Sequence, residues 1–424
     1  MVMELSPMRS LPIAVILCTC LALLSCEMGT SPVPTNTQKV PAYIDSLDNV
    51  DIVSIREEGL DTAEIEKVGI YQSNEEVFIK GYPGEVMVDM KGQVYIEAFV
   101  PGEAGIYVFD SDGKYVTTIG RHGKGPGEFL TLAALNLKNG RLYIYDAHQE
   151  KISAFSTDTF ELVYEETIKR DSLESKDLLA MQPRNELFIK EDSSFVMNFF
   201  RAVNSNEYRN IHYLAISSRG QIKPQKLITV KRSTIYEPAT SHNSGGYFRV
   251  ARTLPFSRGS LVALSSNGTF YTNWNDDFLI KEYAPDGSYR RAYYYPYVRS
   301  ELSVSEIEVG DGMRSLIDDN RDVLPDTWPA VHTIETDDQD RLWISTITES
   351  DSTFQWWVLN GHGKLVARFR WKGSRDDRSG MLKPMITIHN NHIYTRKLDF
   401  RNEVYQIIKY RVSFKPHPHF QPRR

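Results

Sequence analysis

The sequence predicts an all-β fold, namely a six-bladed β-propeller built from four-stranded antiparallel blades. Three observations predict it. Six aromatic residues occupy the same place in a recurring pattern of strands and turns, an apolar stretch precedes each of them, and the last repeat is one strand short. Repeats of this length are typical of propeller blades. A β-sandwich or two smaller β-domains would accommodate the strands, but neither explains aromatics that recur in register.

The repeat is clearest at residues 92–120, GQVYIEAFVPGEAGIYVFDSDGKYVTTIG. A polar turn leads into an aromatic strand, a loop, a second strand, an Asp-Gly hairpin and a third strand. The same order recurs at residues 140–168, 185–228, 267–295, 339–371 and 390–414. The recurring aromatics are Tyr95, Tyr143, Phe188, Tyr271, Trp343 and Tyr394. Their spacing fits a period of about 45 to 50 residues with two insertions.

Further apolar stretches supply the innermost strands and one further strand closes the ring. EVMVDM, LAALNL, LVALSS and VHTIET each precede an aromatic and can form the first strand of a blade. The last repeat ends at Phe414 and lacks an outermost strand. Residues 49–55 or 65–72 can provide it, so we expect an N-terminal strand to close the ring and remove the open sheet edge.

Two insertions carry other material. Residues 229–250 are polar and predict a long loop. Residues 299–324 predict a short helix, because Ser303 and Glu306 have the spacing of a capping box.

The N-terminus predicts export and lipidation. The apolar run Leu11–Leu24 is too short to span a bilayer but suits a secretory signal. It ends in LLSC, which resembles a bacterial lipobox, so residues 1–25 are expected to be removed and Cys26 acylated. The alternative is an ordinary signal peptide cut nearby. Residues 26–40 are rich in Pro, Ser and Thr and predict a tether.

These assignments define the remaining organisation and the compartment. The propeller is expected at residues 41–414, followed by a flexible tail at 415–424. The protein is expected in the bacterial cell envelope, at the outer membrane, held through Cys26. All three cysteines lie in the first 26 residues, so the fold must be stable without disulfides. A net charge of −6 argues against nucleic-acid binding and leaves the lipid as the membrane contact.

The segment GRHGKGPGEF, residues 120–129, needs a separate interpretation. A phosphate-binding loop would open a helix, but here Pro126 lacks an N–H and a strand-like stretch follows. We interpret the segment as the turn from blade 1 to blade 2. Phe129 is expected to fill the space between the sheets, and Glu128 to accept hydrogen bonds from loop N–H groups.

Together with GQVYI and IYVFDSDGKYV, this segment resembles the NHL-type six-bladed propellers, especially lipid-anchored propeller proteins of Bacteroidetes-like bacteria. The first two repeats carry the resemblance, and the others match in spacing only. LTLAAL follows where the family usually has a proline. The resemblance implies fold and localisation, because many such propellers have no known activity.

Catalytic and metal-binding patterns are weak. There is no GxSxG motif, and no thiol would remain after lipidation. No metal site or cofactor is expected. Calcium in the central channel stays open as a lactonase-like alternative, with Asp89, Asn136 and Glu335 as candidate ligands and His332 and His389 nearby.

A binding surface is the remaining expectation. In propellers the links between blades and the loops after second strands share one rim, where Arg and aromatic side chains can bind ligands. The rim candidates are Arg121, His122, Lys124, Asp146, His148, Trp274, Asp276, Arg299, Trp328 and His332. Any one of them taken alone is more commonly a blade-packing or solvated loop residue. The predicted function is a monomeric, non-enzymatic module that binds an envelope protein or glycan. The alternative is a propeller hydrolase or lyase with a divalent metal in its channel.

Overall fold

The computed structural model describes residues 40–53, 60–79, 81–99, 104–170, 173–174, 176–201, 210–236, 253–307, 311–373, 385–399 and 404–416. Within them the chain forms six antiparallel four-stranded blades, whose strands are named a to d. The predicted all-β six-bladed propeller is confirmed.

Each blade takes its strands in sequence order, except the last. Blade 1 comprises Tyr82–Val88, Val94–Phe99, Ile106–Phe109 and Tyr115–Ile119. Blade 2 comprises Leu132–Lys138, Arg141–Asp146, Lys151–Ser156 and Leu162–Thr167. Blade 3 comprises Met181–Ile189, Phe195–Arg201, Asn210–Ile216 and Ile222–Lys231. Blade 4 comprises Ser260–Leu264, Phe270–Trp274, Leu279–Tyr283 and Tyr289–Tyr294. Blade 5 comprises Val331–Thr336, Leu342–Ile347, Thr353–Leu359 and Leu365–Lys372. Blade 6 comprises Ile386–His389, His392–Asp399, Val404–Pro416 and, from the start of the chain, Asp61–Tyr71.

The remaining elements are short. Arg121–His122 pairs with Glu128–Phe129 in parallel, and Val50–Ile52 adds a fifth, parallel strand to blade 4. The α-helices are Ala42–Asp45, Lys176–Leu179 and Asp311–Asp319, and the 3₁₀ turns are Val304–Glu306 and Arg321–Val323. None of the helices in the described ranges has the length and apolar character needed to cross a bilayer.

The blades are arranged around their first strands. Strands a of blades 1 and 2, 2 and 3, 4 and 5, 5 and 6, and 6 and 1 contact each other. Hydrophobic clusters lie between neighbouring blades, for example Tyr95 and Ile106 of blade 1 with Leu142 and Phe155 of blade 2. The core is therefore a series of sheet-to-sheet interfaces.

The ring closes as one of the two expected alternatives. Strand Asp61–Tyr71 pairs antiparallel with Val404–Pro416, from Asp61 opposite Pro416 to Tyr71 opposite Ile407. The segment around residues 65–72 is thus the closing strand, and Val50–Ile52 lies beside blade 4 instead. The last propeller strand runs to Pro416, two residues past the expected boundary.

Five of the six recurring aromatics are buried on strand b, and hairpin aspartates accept hydrogen bonds from two of them. The Tyr95 hydroxyl donates to Asp89 Oδ2 at 3.1 Å, and Trp343 Nε1 donates to Asp337 Oδ2 at 2.7 Å. Both aromatic side chains are fully buried. The common register therefore reflects one packing position, which in blades 1 and 5 has an aspartate as polar partner.

Phe188 is the exception, and its assignment to strand b was wrong. It lies in strand a of blade 3, directly opposite Val196 of strand b. The turn inferred at Asn185 is a bulge in strand a, where the register shifts between Pro183 and Leu187. The a–b hairpin comes later, after Ile189. The sequence of the bulge therefore resembles that of a turn, which explains the wrong prediction.

The predicted helix begins later than expected. Ser303 precedes only a 3₁₀ turn, Val304–Glu306, and makes no side-chain capping bond. The α-helix is Asp311–Asp319. The predicted polar loop at 229–250 begins too early, because strand d of blade 3 runs to Lys231. Residues 237–250 of that loop lie outside the described residues, as do Cys26, the rest of residues 1–39 and residues 417–424.

Candidate binding site on the link face

One face of the propeller is built from the links between blades and the b–c loops. In three blades a backbone N–H at the end of strand b, or directly after it, donates to the link that precedes the same blade. The pairs are Ala147 to Thr131 at 3.2 Å, Asn275 to Gly259 at 3.0 Å and Ile347 to Ala330 at 3.1 Å. We call this surface the link face, and the surface that carries the a–b hairpins the hairpin face.

The segment 120–129 forms a structural turn on the link face. Phe129 is completely buried, and a Cβ on Gly120, whose φ is +75°, would lie 2.4 Å from its ring. Glu128 accepts from Gly125 N at 2.8 Å and from Arg121 Nε at 2.7 Å. These contacts hold the pKa of Glu128 below its usual value, the Gly125 N–H contributing most. The architectural interpretation of Phe129 and Glu128 is confirmed.

Asp146 ties this turn to the b–c loop of blade 2. Its side chain is fully buried and accepts from Leu130 N at 2.6 Å and His148 N at 2.8 Å. It also accepts from the side chain of Gln149 at 2.7 Å. Asp146 therefore holds the loop, while four other rim candidates remain exposed beside it, namely Arg121, His122, Lys124 and His148.

Asp276 and Arg299 form a second group, which we call the Asp276 cluster. Asp276 Oδ1 accepts from Arg258 Nε at 2.7 Å and from Arg299 Nη1 at 2.6 Å. Arg258 Nη2 also donates to Thr327 Oγ1 at 3.0 Å, which joins the link before blade 4 to the link before blade 5. Two cations thus share one carboxylate, and the charges are met internally.

Trp328 and His332 lie below the surface. Trp328 is 4% exposed and packs edge-on against Phe256, with ring centroids 6.3 Å apart. His332 is completely buried and stacks on Phe354 at 4.3 Å. Both belong to the packing beneath the link face.

A pair of arginines, absent from the sequence-based set, forms the most unusual charge arrangement on this face. Arg184 lies 4.7 Å and Arg232 5.4 Å from the ring centroid of Phe200. Arg184 is near the start of strand a, Phe200 near the end of strand b, and Arg232 directly follows strand d of blade 3. We call these three residues the arginine pair site.

Within the described ranges neither Arg184 nor Arg232 forms an ion pair or a hydrogen bond, and the nearby acid Glu186 accepts from the Tyr213 hydroxyl. Burial lowers the pKa of Arg232, and the charge of Arg184 lowers it further. Lys231 Nζ lies 5.5 Å from the ring centroid of Trp274, a predicted rim residue, and extends the positive charge toward blade 4. Guanidinium groups in this setting can bind a carboxylate or phosphate group.

The sequence offered little that could have identified this site. Arg184 follows Pro183 in a bulged strand, and Arg232 closes the short basic run in TVKRS. Only the blade geometry brings them to one phenyl ring. A basic run at the end of an outermost strand was the available signal.

Two of the candidate channel ligands, Asp89 and Glu335, accept hydrogen bonds from residues close to them in sequence. Asp89 accepts from Lys91 N, Gln93 N and Tyr95 Oη in the a–b hairpin of blade 1. Glu335 Oε1 accepts from Thr333 Oγ1 at 3.3 Å. Within the described ranges no group of three or more His, Cys, Asp or Glu side chains is placed to hold a metal ion.

Comparisons with known proteins agree with the fold. A family model described as a 6-bladed beta-propeller, DUF5128, matches residues 81–229. No curated protein matches the sequence. A solved member of the DUF4221 family from Bacteroides vulgatus is similar, with 12% identity and a TM-score of 0.50, over 84% of this chain and 99% of that chain.

Two further solved structures have lower TM-scores. A putative exported protein from Bacteroides fragilis has 10% identity and a TM-score of 0.45, over 86% of this chain and 99% of that one. The calcium-binding protein regucalcin from Agrobacterium tumefaciens has 10% identity and a TM-score of 0.39, over 87% and 99%. At these identities the likeness concerns the fold alone, and the NHL subtype stays a prediction.

Proposed function

We propose that this protein is a non-enzymatic binding module of the bacterial cell envelope, anchored through lipid on Cys26. Its link face binds an anionic group carried by an envelope protein or glycan. The observation that carries the proposal is the arginine pair site, where two guanidinium groups face one ring without a counter-ion in the described chain.

Repulsion between the Arg184 and Arg232 guanidinium groups favours the binding of an anion. Two like charges near one ring repel each other, and partial burial strengthens that repulsion because water screens it less. A carboxylate or phosphate that contacts Arg184 and Arg232 together removes the repulsion and gains charge-assisted hydrogen bonds. Both guanidinium groups lie within 5.4 Å of the Phe200 ring centroid, at cation–π distance.

The binding test uses glycans that bear carboxylate or phosphate groups, with neutral glycans of the same backbone for comparison. We expect the anionic glycans to bind preferentially, and Arg184→Met or Arg232→Met to weaken binding about tenfold or more. The matched control is Arg219→Met, because Arg219 precedes strand d of blade 3 whereas Arg232 follows it. An equal loss of glycan binding in the Arg219 variant would refute the site. Unchanged binding in both the Arg184 and Arg232 variants would refute it as well.

The anchor test uses cell fractionation and labelling with a fatty acid. Cys26→Ser is expected to abolish labelling and release the protein from membranes, because several acyl chains on one residue provide stable attachment. Cys20→Ser, within the predicted signal, is the control and should keep both properties. Membrane retention of the Cys26 variant without a lipid would contradict the anchor.

Metal analysis of the purified protein separates this proposal from the enzyme alternative. A propeller hydrolase or lyase with a channel metal should retain about one divalent ion per chain after dialysis. Stoichiometric calcium, with binding unaffected by changes at the arginine pair site, would favour the enzyme.

A further inference from the structure

A groove lies between blade 6 and blade 1 on the hairpin face, away from the link face. Two adjoining cavities of about 260 and 170 Å³ both include Ser111, His392 and Lys409 in their walls. Gly69 lines the larger cavity opposite Lys409, and a Cβ there would lie 3.4 Å from Lys409 Cβ. The missing side chain at Gly69 therefore leaves part of this space open.

The walls of the groove place positive charge on one side of a sheet. Lys409 and Arg411 are two residues apart on strand c of blade 6, so both side chains point to the same face. His392 lies directly opposite Arg411 on strand b, and Tyr394 lies opposite Lys409. The ammonium of Lys409 is 6.0 Å from the Tyr394 ring.

Most carboxylates near the groove already have partners. Asp89 accepts hydrogen bonds within its hairpin, and Glu66 lies 3.5 Å from Arg411. Within the described ranges Lys409 forms no ion pair; its ammonium donates to the Ser111 carbonyl at 3.4 Å. Asp112 is the remaining acidic residue of the lining. The other titratable groups in the walls of the groove are Lys91, which pairs with Asp158, and also His389 and Tyr71.

The hydrogen bond that His392 makes leaves one ring nitrogen available for protonation when an anion binds in the groove. Its Nδ1 lies 2.7 Å from the Asn390 carbonyl and donates to it, so Nε2 is the atom that can gain a second proton. Burial lowers the pKa of His392, and the charges of Lys409, Arg411 and His389 lower it further, while the Asn390 carbonyl opposes them. An anion in the groove would act in the opposite direction.

We propose that this groove binds a phosphate-type oxyanion between Lys409, Arg411 and His392, as a second site independent of the link face. Binding favours the doubly protonated ring of His392, so a proton is taken up on Nε2 with the anion. The site is independent of the arginine pair site, because it lies on the opposite face and shares no residue with it.

The experiment titrates the full-length protein with inorganic phosphate and follows the ring signals of His392 by NMR. We expect a saturable shift and a rise in the pKa of His392 by about 0.5 to 1 unit. Lys409→Met should weaken phosphate binding about tenfold, and Asp112→Asn should strengthen it severalfold by removing the nearby negative charge.

Two controls separate binding from general effects. Lys91→Met removes a lining cation that already pairs with Asp158, so phosphate affinity should stay within about twofold. Gly69→Val fills the space beside Lys409 without removing a charge and should weaken binding. Arg184→Met should leave the His392 response intact, so failure of the link-face proposal would not affect this one.

The proposal is overturned if chloride at equal ionic strength reproduces the His392 response, or if Lys409→Met and Gly69→Val both leave it unchanged. Vesicles that contain phosphatidylglycerol identify the source of the oxyanion. Binding of free phosphate alone indicates a soluble ligand, and additional Lys409-dependent binding to vesicles indicates a lipid headgroup.

Discussion

The Asp276 cluster and the arginine pair site use the same cation in opposite ways. In the first, one carboxylate accepts from Arg258 and Arg299, at 2.7 and 2.6 Å. In the second, Arg184 and Arg232 approach one phenyl ring, and neither forms an ion pair within the described ranges. Both arrangements lie in the blade 3 to blade 5 region of the link face, so their location does not explain the difference.

Charged residues that stabilise the fold thus differ from charged residues that are available to bind a ligand. A carboxylate satisfied by two guanidinium groups has little affinity left for a ligand, and its removal leaves partly buried cations unpaired. Two guanidinium groups near one apolar ring contribute little net stability, but they offer unused hydrogen-bond donors. Rim position and residue type, which the two groups share, therefore say less about binding than the presence of an internal counter-ion.

The largest effect is expected from Asp276→Asn. The change removes the charge that holds Arg258 and Arg299, of which Arg258 is only 13% exposed at its side chain. We expect the free energy of unfolding to fall by about 1 to 3 kcal/mol, measured by urea denaturation. As a control, Asp318→Asn breaks the exposed pair with Arg321 and should cost under about 0.5 kcal/mol. Equal costs would show that the Asp276 cluster is not a structural junction.

A smaller effect, of the opposite sign, is expected at the arginine pair site. Arg184→Met or Arg232→Met relieves repulsion while it keeps an apolar contact with Phe200. The free energy of unfolding should stay unchanged or rise by up to about 1 kcal/mol. The double variant should gain no more than either single one, since one change already removes the repulsion. A loss above about 2 kcal/mol in either single variant would show that these arginines are structural.

The smallest expected effect is the response to salt. Raising NaCl from about 0.05 to 0.5 M screens both arrangements. The stability difference between the unmodified protein and Arg184→Met should shrink by a few tenths of a kcal/mol, because salt weakens the repulsion that this variant removes. The difference for Asp276→Asn should shrink as well, because salt weakens the attraction. A difference that grows with salt in either case would contradict the electrostatic assignment.

Periodicity was enough to predict the fold. The six strand repeats, the innermost strands and the closing strand followed from apolar patterning and from one missing strand, since sheet edges must be paired. The prediction failed at Phe188, where a bulge between Pro183 and Leu187 resembled a turn. A bulge adds residues without changing composition, so no count of apolar positions distinguishes the two.

The candidate site was less accessible to sequence reasoning. The predicted rim set placed Asp276 beside Arg299 but also included Asp146, Trp328 and His332, whose side chains are buried. Burial of a polar residue depends on neighbours that are distant in sequence. Glu97 shows the same difficulty: burial raises its pKa to about 7, although its strand resembles the other b strands. Arg184 and Arg232 meet at Phe200 only through the tertiary fold.

Closure of the ring also has a kinetic consequence. The pairing of Asp61–Tyr71 with Val404–Pro416 joins the two ends of the propeller, so these contacts have the largest sequence separation in the fold. Such long-range pairing forms late, because a long chain must be brought together before any contact compensates the loss of entropy. Blade 6 cannot be completed until residues 404–416 have been synthesised. Until then the first propeller strand stays an unpaired edge, and this interval is when the protein is most exposed to aggregation and proteolysis.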